Sequence, residues 1–317
     1  MKRFIPVVIA LIMLFCLASC GDSGLGKDVY ISEIMSQNTK KTLRIVGKIL
    51  VYAVCILLAI LSIYPFWIML VNATRSTTQI QQSAIAFIPS NHIARNFEIL
   101  KQKETFNAFL GFKNSIIIST LATACSVYFS TLTAYAVVVY DWKLKHAFFT
   151  FIMAVMMIPG QIMTVGFYQM IYKIGWVNSY LPLILPAIAA PSMVFFMRQY
   201  MIPSLSLEII QSARIDGAKE FYIFNRIAMP IMKPALATQA IFAFVQNWNS
   251  LFLPMIILRA DKYTMPCMVS LLKGDIYRTE YGSVYLGLTL TVLPLFVVYF
   301  LLSKYIIAGV ALGSVKG

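Results

Sequence analysis

Residues 203–230 read PSLSLEIIQSARIDGAKEFYIFNRIAMP, between apolar runs at 181–200 and 235–258. Pro203, Ser204 and Ser206 are helix-start residues, and Glu208 suits a first turn that presents the positive end of the helix dipole. Gly217 can take the left-handed conformation that ends a helix. Asp216 is placed to cap a second helix running through Phe221, Phe224 and Ala228, and Pro230 and Pro234 close the unit. The spacing therefore predicts a helix-turn-helix elbow with an apolar stripe and alternating charges, held at one membrane face by its two flanking runs. Such an elbow fits a groove on a partner, although an ordinary interfacial amphipathic loop has the same pattern.

The rest of the chain predicts a bilayer around that elbow. Of 317 residues 60% are hydrophobic and only 12% charged, a balance that excludes an ordinary water-soluble domain. A spanning helix needs about 20 apolar residues, because lipid offers backbone groups no partners. Six such spans are predicted, at 49–71, 115–139, 147–170, 181–200, 235–258 and 284–302. The fold class is thus an all-α membrane protein. With an even number of spans both ends lie on one face, and the distribution of Lys and Arg among the loops places the N-terminal side in the cytoplasm. The spans contain no Asp or Glu, which argues against a proton-coupled pump. The net charge of +14 is dispersed in short segments between apolar runs, so it reflects topology rather than a nucleic-acid surface. Cys16, Cys20, Cys55, Cys125 and Cys267 have no paired spacing, and with only His92 and His146 beside them no metal site is expected. The loop from Asn72 to Asn114 is expected outside the cell, either as a passive connector or carrying a short amphipathic helix.

Two beginnings compete at the N-terminus. Lys2 and Arg3, the apolar run 4–17 and Leu17-Ala18-Ser19-Cys20 resemble a lipoprotein signal with Cys20 as the lipidated residue. Lipidation outside the cell would put Lys40, Lys41, Arg44 and Lys48 on the wrong side of the first span. The expectation is an added leader at 1–34 and a permease domain at 35–317.

Within the elbow, Gln211, Ser212, Ala213, Asp216, Gly217 and Ala218, followed by Ile227 and Pro230, resemble the EAA loop of permease subunits of ATP-binding-cassette importers. The family's usual glutamate is Gln211 here. The neutral amide keeps hydrogen-bonding capacity but loses the charge, so a salt bridge from this position is in question. Met157-Ile158-Pro159-Gly160-Gln161, Gly175-Trp176-Val177-Asn178-Ser179, Arg198-Gln199-Tyr200, Gln246-Asn247-Trp248-Asn249 and the ending Gly313-Ser314-Val315-Lys316-Gly317 are similar to the smaller permease of maltose-type carbohydrate systems. The resemblance covers roughly 36–317 and implies a type I importer permease fold that hydrolyses nothing itself. No Gly-rich phosphate loop is present, so ATP would be used by a partner subunit and no cofactor bound by this chain. The implied partners are a second permease, an ABC ATPase dimer, an extracytoplasmic solute-binding protein and the lipid of a bacterial cytoplasmic membrane. Gln211, Ser212, Ala213, Asp216, Gly217 and Ala218 would form the ATPase contact, and Gly313 to Gly317 a further one.

A solute path needs polar side chains or loosened backbone at mid-membrane. Candidates are Gln239, Gln246, Asn247 and Asn249, with Trp248 as a stacking surface, together with Pro159, Gly160 and Gln161. The same amides also suit hydrogen bonds between helices. A sugar or oligosaccharide is the expected solute. Glycerol phosphate or a polyamine is the alternative within transport, and a membrane-anchored lipoprotein or assembly factor the alternative outside it.

Overall fold

The structure, a computed structural model, describes residues 37–272 and 279–314, with side chains described within 45–160, 162–272 and 279–300. The leader at 1–34 with Cys20, the side chain of Gln161 and the side chains of 313–317 lie outside what is described. Contacts divide the chain into two units, Met1–Ile68 and Met69–Gly317.

Every regular element among the described residues is helical. The first is α1 (Gln37–Ala73), whose part from Ile45 onward is apolar enough to cross a membrane. The expected external loop holds two short helices, α2 (Thr77–Gln82) and α3 (Ile93–Gln102). Ser76 starts α2 through a capping box, its hydroxyl accepting from the Gln79 N–H while the Gln79 amide accepts from the Ser76 N–H. The loop is tied down by polar contacts. Arg75, buried, donates to Asn72 Oδ1 and to the Ser83 and Gln79 carbonyls, and Asn96 donates to the Ala73 and Arg75 carbonyls.

Next comes α4 (Ala108–Val139), started by Asn107, whose side chain accepts from the Leu110 N–H at 3.0 Å. Its buried face is built from Gly111, Ser115, Ser119, Ala122, Ser126, Ser130 and Ala134. Small residues on one stripe let neighbouring helices approach closely, which is how bundles pack where lipid supplies no hydrophobic drive. This makes α4 the central rod.

The third expected span is divided, as α5 (Lys145–Met156) and α6 (Gly160–Lys173). Pro159 explains the break: it has no N–H to continue the ladder, and its backbone is extended at ψ 122°. The next helices are α7 (Leu181–Ile184), which runs into a 3-10 turn at Leu185–Ile188, and α8 (Pro191–Ser204). They form one apolar stretch, and Pro203 belongs to its last turn rather than to the elbow.

The elbow is α9 (Leu207–Ile215), α10 (Glu220–Ile223), a π-helical turn (Phe224–Ala228) and α11 (Met229–Ile231). It leads into α12 (Lys233–Trp248) with a bend of 81°. The expected fifth span therefore stops at Trp248, and α13 (Phe252–Ile257) is a separate short helix. After a 3-10 turn at Ala260–Lys262 come α14 (Met265–Leu271) and α15 (Tyr281–Ser314). In total, four stretches among the described residues are long and apolar enough to cross a membrane, or five with the bent pair counted as one. The six continuous spans of the sequence reading are thus not all present as such. The core lies along α4, which packs most extensively against α12 and α8.

Candidate functional site: the elbow and the cavities behind it

The elbow begins at Ser206, whose hydroxyl accepts from the Glu208 N–H at 3.2 Å. It turns at Gly217, where φ is 80°. The Gly217 N–H donates to the Arg214 carbonyl and the Ala218 N–H to the Ala213 carbonyl, both at 3.0 Å, which is the paired closure of a Schellman turn. This corrects the role expected of Asp216. It is the C-cap that follows the first helix, and Lys219, in extended conformation, opens the second. The turn needs both Gly217 and Ala218 before helical geometry can resume, so Asp216 lies too far back to cap it.

One side of the elbow is packed. Ile210, Ala213, Ile223, Phe224 and Ala228 are buried in a cluster with Ala134 and Tyr135 of α4 and Met193, Met197 and Met201 of α8. The Phe224 ring lies 5.3 Å from that of Tyr135, an aromatic contact worth about 1 kcal/mol. Phe221 is not on this face. It is 70% exposed, and Ile223 takes the inward place because the π-helical turn shifts the spacing. A polar clasp reinforces the packing. Arg214 Nε donates to Glu220 Oε1 at 2.6 Å, the Tyr140 hydroxyl donates to Glu220 Oε2 at 2.5 Å, and the guanidinium lies 5.3 Å from the centre of the Tyr140 ring. Glu220 keeps the Arg214 guanidinium more basic than usual, while burial and then the bond to Glu220 raise the Tyr140 phenol. None of these three was among the sequence candidates. The available signal was the opposite charge of Arg214 and Glu220 on either side of the Gly217 turn.

The other side of the elbow is open. Of the expected coupling residues, Gln211, Ser212, Asp216 and Gly217 are exposed, Ala218 is half-buried and Ala213 is buried. Ile215, Phe221 and Tyr222 add exposed apolar surface to the same element.

Behind the elbow the backbone hydrogen bonds continue through Met232, with the Met232 N–H donating to the Ala228 carbonyl and the Leu236 N–H to the Met232 carbonyl. The elbow and α12 are therefore one mechanical piece with a bend. One face of α12, bearing Gln239, Phe242, Ala243, Gln246 and Asn247 at helical spacing, lines a cavity of about 670 Å³. Ser126 of α4 and Ser192, Met193 and Phe196 of α8 complete its wall. A second cavity of about 690 Å³ is lined by Gly160, Thr164, Phe167, Pro186, Asn247 and Leu253. Asn247 borders both. The sequence reading missed Ser126 and Ser192, polar residues in apolar stretches whose direction only the packing reveals.

The remaining path candidates separate. Gly160 lines the second cavity, and Pro159 caps α6 at an exposed position. Asn249 is exposed and caps the C-terminal end of α12. Trp248 lines neither cavity. It is 1% exposed, its indole N–H donates to the Thr291 carbonyl of α15 at 3.0 Å, and its ring stacks on Phe244 at 5.7 Å. Among the described residues no group of His, Cys, Asp and Glu is placed to hold a metal ion.

Comparison with known proteins meets this geometry from outside. Residues 105–311 match the family described as binding-protein-dependent transport system inner membrane component. The arabinooligosaccharides transport system permease protein AraQ of Halalkalibacterium halodurans is 34% identical over 263 residues, which are 82% of this chain and 93% of that protein. The lactose transport system permease protein LacG of Rhizobium radiobacter is 31% identical, over 84% of this chain and 95% of its own. In fold, the chain resembles a subunit of a bacterial ABC transporter involved in alginate import, with a TM-score of 0.69 at 21% identity over 86% of this chain and 99% of that one. An elbow with one packed and one open side, an amide-lined helix joined to it and this breadth of similarity lead to one conclusion: the chain belongs to the inner membrane components of binding-protein-dependent transport systems, the permease subunits of ABC importers.

Proposed function

We propose that this chain forms half of the translocation pathway for a sugar or oligosaccharide in a bacterial cytoplasmic membrane. A second permease supplies the other half, an extracytoplasmic binding protein delivers the solute, and an ATPase dimer docked on the open face of the elbow supplies the energy. The observation that carries the reading is the amide stripe Gln239, Gln246 and Asn247 on the helix that continues the elbow. Amides both donate and accept, as sugar hydroxyls require. None of the described residues lining either cavity is charged. A phosphate ester calls for Lys or Arg in that wall and a polyamine for carboxylates, so the lining favours a neutral solute over both. The arabinooligosaccharide and lactose systems named for AraQ and LacG support the same choice.

Movement follows from the connection. When the ATPases close and push the elbow, α12 tilts with it, and the wall bearing Gln246 and Asn247 shifts against α4 and α8. Neither bond formation nor bond cleavage is asked of this chain.

The test is uptake into proteoliposomes holding this chain, its second permease, the ATPase and the binding protein, measured over a panel of neutral sugars, glycerol phosphate and polyamines. The reading predicts uptake of a neutral saccharide, slowed by Gln246→Ala and Asn247→Ala with stimulated ATP hydrolysis retained. Preferred uptake of a charged solute would contradict it.

A further inference from the structure

Arg198 is a cation within the apolar stretch Leu181–Ser204. Its guanidinium carbon lies 4.2 Å from the centre of the Phe149 ring of α5, and Phe149 stacks on Phe195 with centroids 6.4 Å apart and planes 17° apart. Its Nε is buried without a hydrogen-bond partner, and no described carboxylate pairs with it. A lone arginine in a span is costly and calls for a partner. Its planar fork of donors is matched by carboxylate or phosphate oxygens.

The surroundings indicate which. Arg198 follows Phe196, a residue of the amide-lined cavity, by two positions, so it is rotated about 200° around the helix and directed away from the solute path. It points instead to the seam with α5, among whose described residues only Ile152 is buried. The seam opens on the elbow's side of the bilayer, because α8 runs directly into α9 and the chain enters α5 just after Tyr140, whose hydroxyl touches Glu220. At that mouth Lys143 and His146 are exposed, and Lys145 precedes Phe149 by one turn. Lys145 also donates to the Tyr140 carbonyl at 3.3 Å and lies 3.7 Å from the freely exposed Asp141 carboxylate. Trp142, packed 5.6 Å from Phe148, adds the aromatic body typical of the membrane–water boundary. Basic pockets between spans with an aromatic floor at this depth suit anionic lipid headgroups.

We propose that the seam between α5 and α8 binds the phosphate headgroup of an anionic phospholipid in the elbow-side leaflet. Arg198 is its forked ligand, and Phe149 and Phe195 support the adjoining glycerol and acyl carbons. The site requires only that the chain spans a bilayer, so it stands or falls separately from the identity of the solute.

The experiment places the full chain in nanodiscs of mixed phosphatidylglycerol and phosphatidylcholine and counts retained lipids by native mass spectrometry. Wild type is expected to retain phosphatidylglycerol in preference. Arg198→Gln should lower that preference about fivefold, the weight of one basic side chain at an anionic surface. Arg198→Lys, which keeps the charge and loses the fork, should fall between. Phe149→Leu leaves the cation in place and should weaken retention by a smaller factor, which provides a second reading if Arg198→Gln folds poorly. Equal retention of both lipids, or an Arg198→Gln chain as selective as wild type, would overturn the site. Displacement of the lipid by added inorganic phosphate would make a free anion the occupant. Loss of the lipid on adding the second permease would assign Arg198 to an acidic partner residue. Either result ends the lipid proposal.

Discussion

Asn247 and Trp248 are neighbours in sequence and point in different directions. Successive residues of a helix are about 100° apart, so the run Gln246-Asn247-Trp248-Asn249 cannot all face one cavity. Gln246 and Asn247 share the stripe with Gln239, whereas Trp248 shares the opposite one with Phe244 and anchors α12 to α15. The amides were legible from sequence because polar groups in an apolar helix need a reason. The direction of Trp248 was not, since a large ring suits a sugar or a core equally well. Trp248→Phe removes the donor to the buried Thr291 carbonyl and should cost about 1–3 kcal/mol. Thermal unfolding of the purified chain should therefore shift downward while the half-saturation for uptake stays unchanged. Gly217 was legible for a firmer reason, because a helix that must reverse in a few residues needs a left-handed position. At φ 80°, Gly217→Ala should cost about 1–2 kcal/mol, measurable as a lower unfolding temperature, although nothing crowds the added methyl.

At the scale of elements, Ser206 as the start of the elbow and Gly217 as its turn followed from local chemistry, whereas Pro203 and Ser204 belong to the end of α8. Its inner face did not follow, because the π-helical turn at Phe224–Ala228 replaces Phe221 with Ile223 in the core, and no residue type marks such a turn. Exposure of Phe221 and Ile215 on the far side suits a partner's groove. Ile215→Asp or Phe221→Asp should weaken binding of the ATPase at least tenfold in pull-down titration, since each places a charge where an apolar side chain would be buried. Glu220→Gln acts differently. It leaves the docking face intact and loosens the clasp to Arg214 and Tyr140, worth about 1–2 kcal/mol once partial exposure is considered. ATP hydrolysis should continue while transport per ATP declines, a ratio read in one proteoliposome assay. The divided third span illustrates the opposite problem. Pro159-Gly160 was recognised as loosened backbone, but hydrophobicity alone could not distinguish a kinked span from two helices.

For the whole molecule, long apolar runs and the low share of charged residues were enough to suggest a membrane, and the EAA-like residues of the elbow were enough to suggest its family. How the pieces work together was not readable, because it depends on contacts across long separations. Tyr140 meets Glu220, Ser126 and Ser192 meet Gln246 across one cavity, and Gly282 approaches the loop of Arg75 and Asn96. That last approach is close enough for a test of its own. A Cβ at Gly282 would lie 2.4 Å from the Arg75 carbonyl oxygen and 2.6 Å from the Asn96 amide, so Gly282→Ala should destabilise the chain by about 1–3 kcal/mol in thermal unfolding.

The central claim is that the elbow transmits force from an ATPase into the helix that lines the solute cavity. Its most direct test is a cysteine at Ile215, 86% exposed on the open face, in membrane vesicles containing the assembled system, with the wild-type chain as control for its native thiols. The account predicts that this thiol crosslinks to the ATPase subunit, is shielded by it from labelling, and changes reactivity when ATP is added. Labelling of Ile215→Cys by a membrane-impermeant reagent from the outer face of intact cells, with no crosslink to the ATPase, would contradict it.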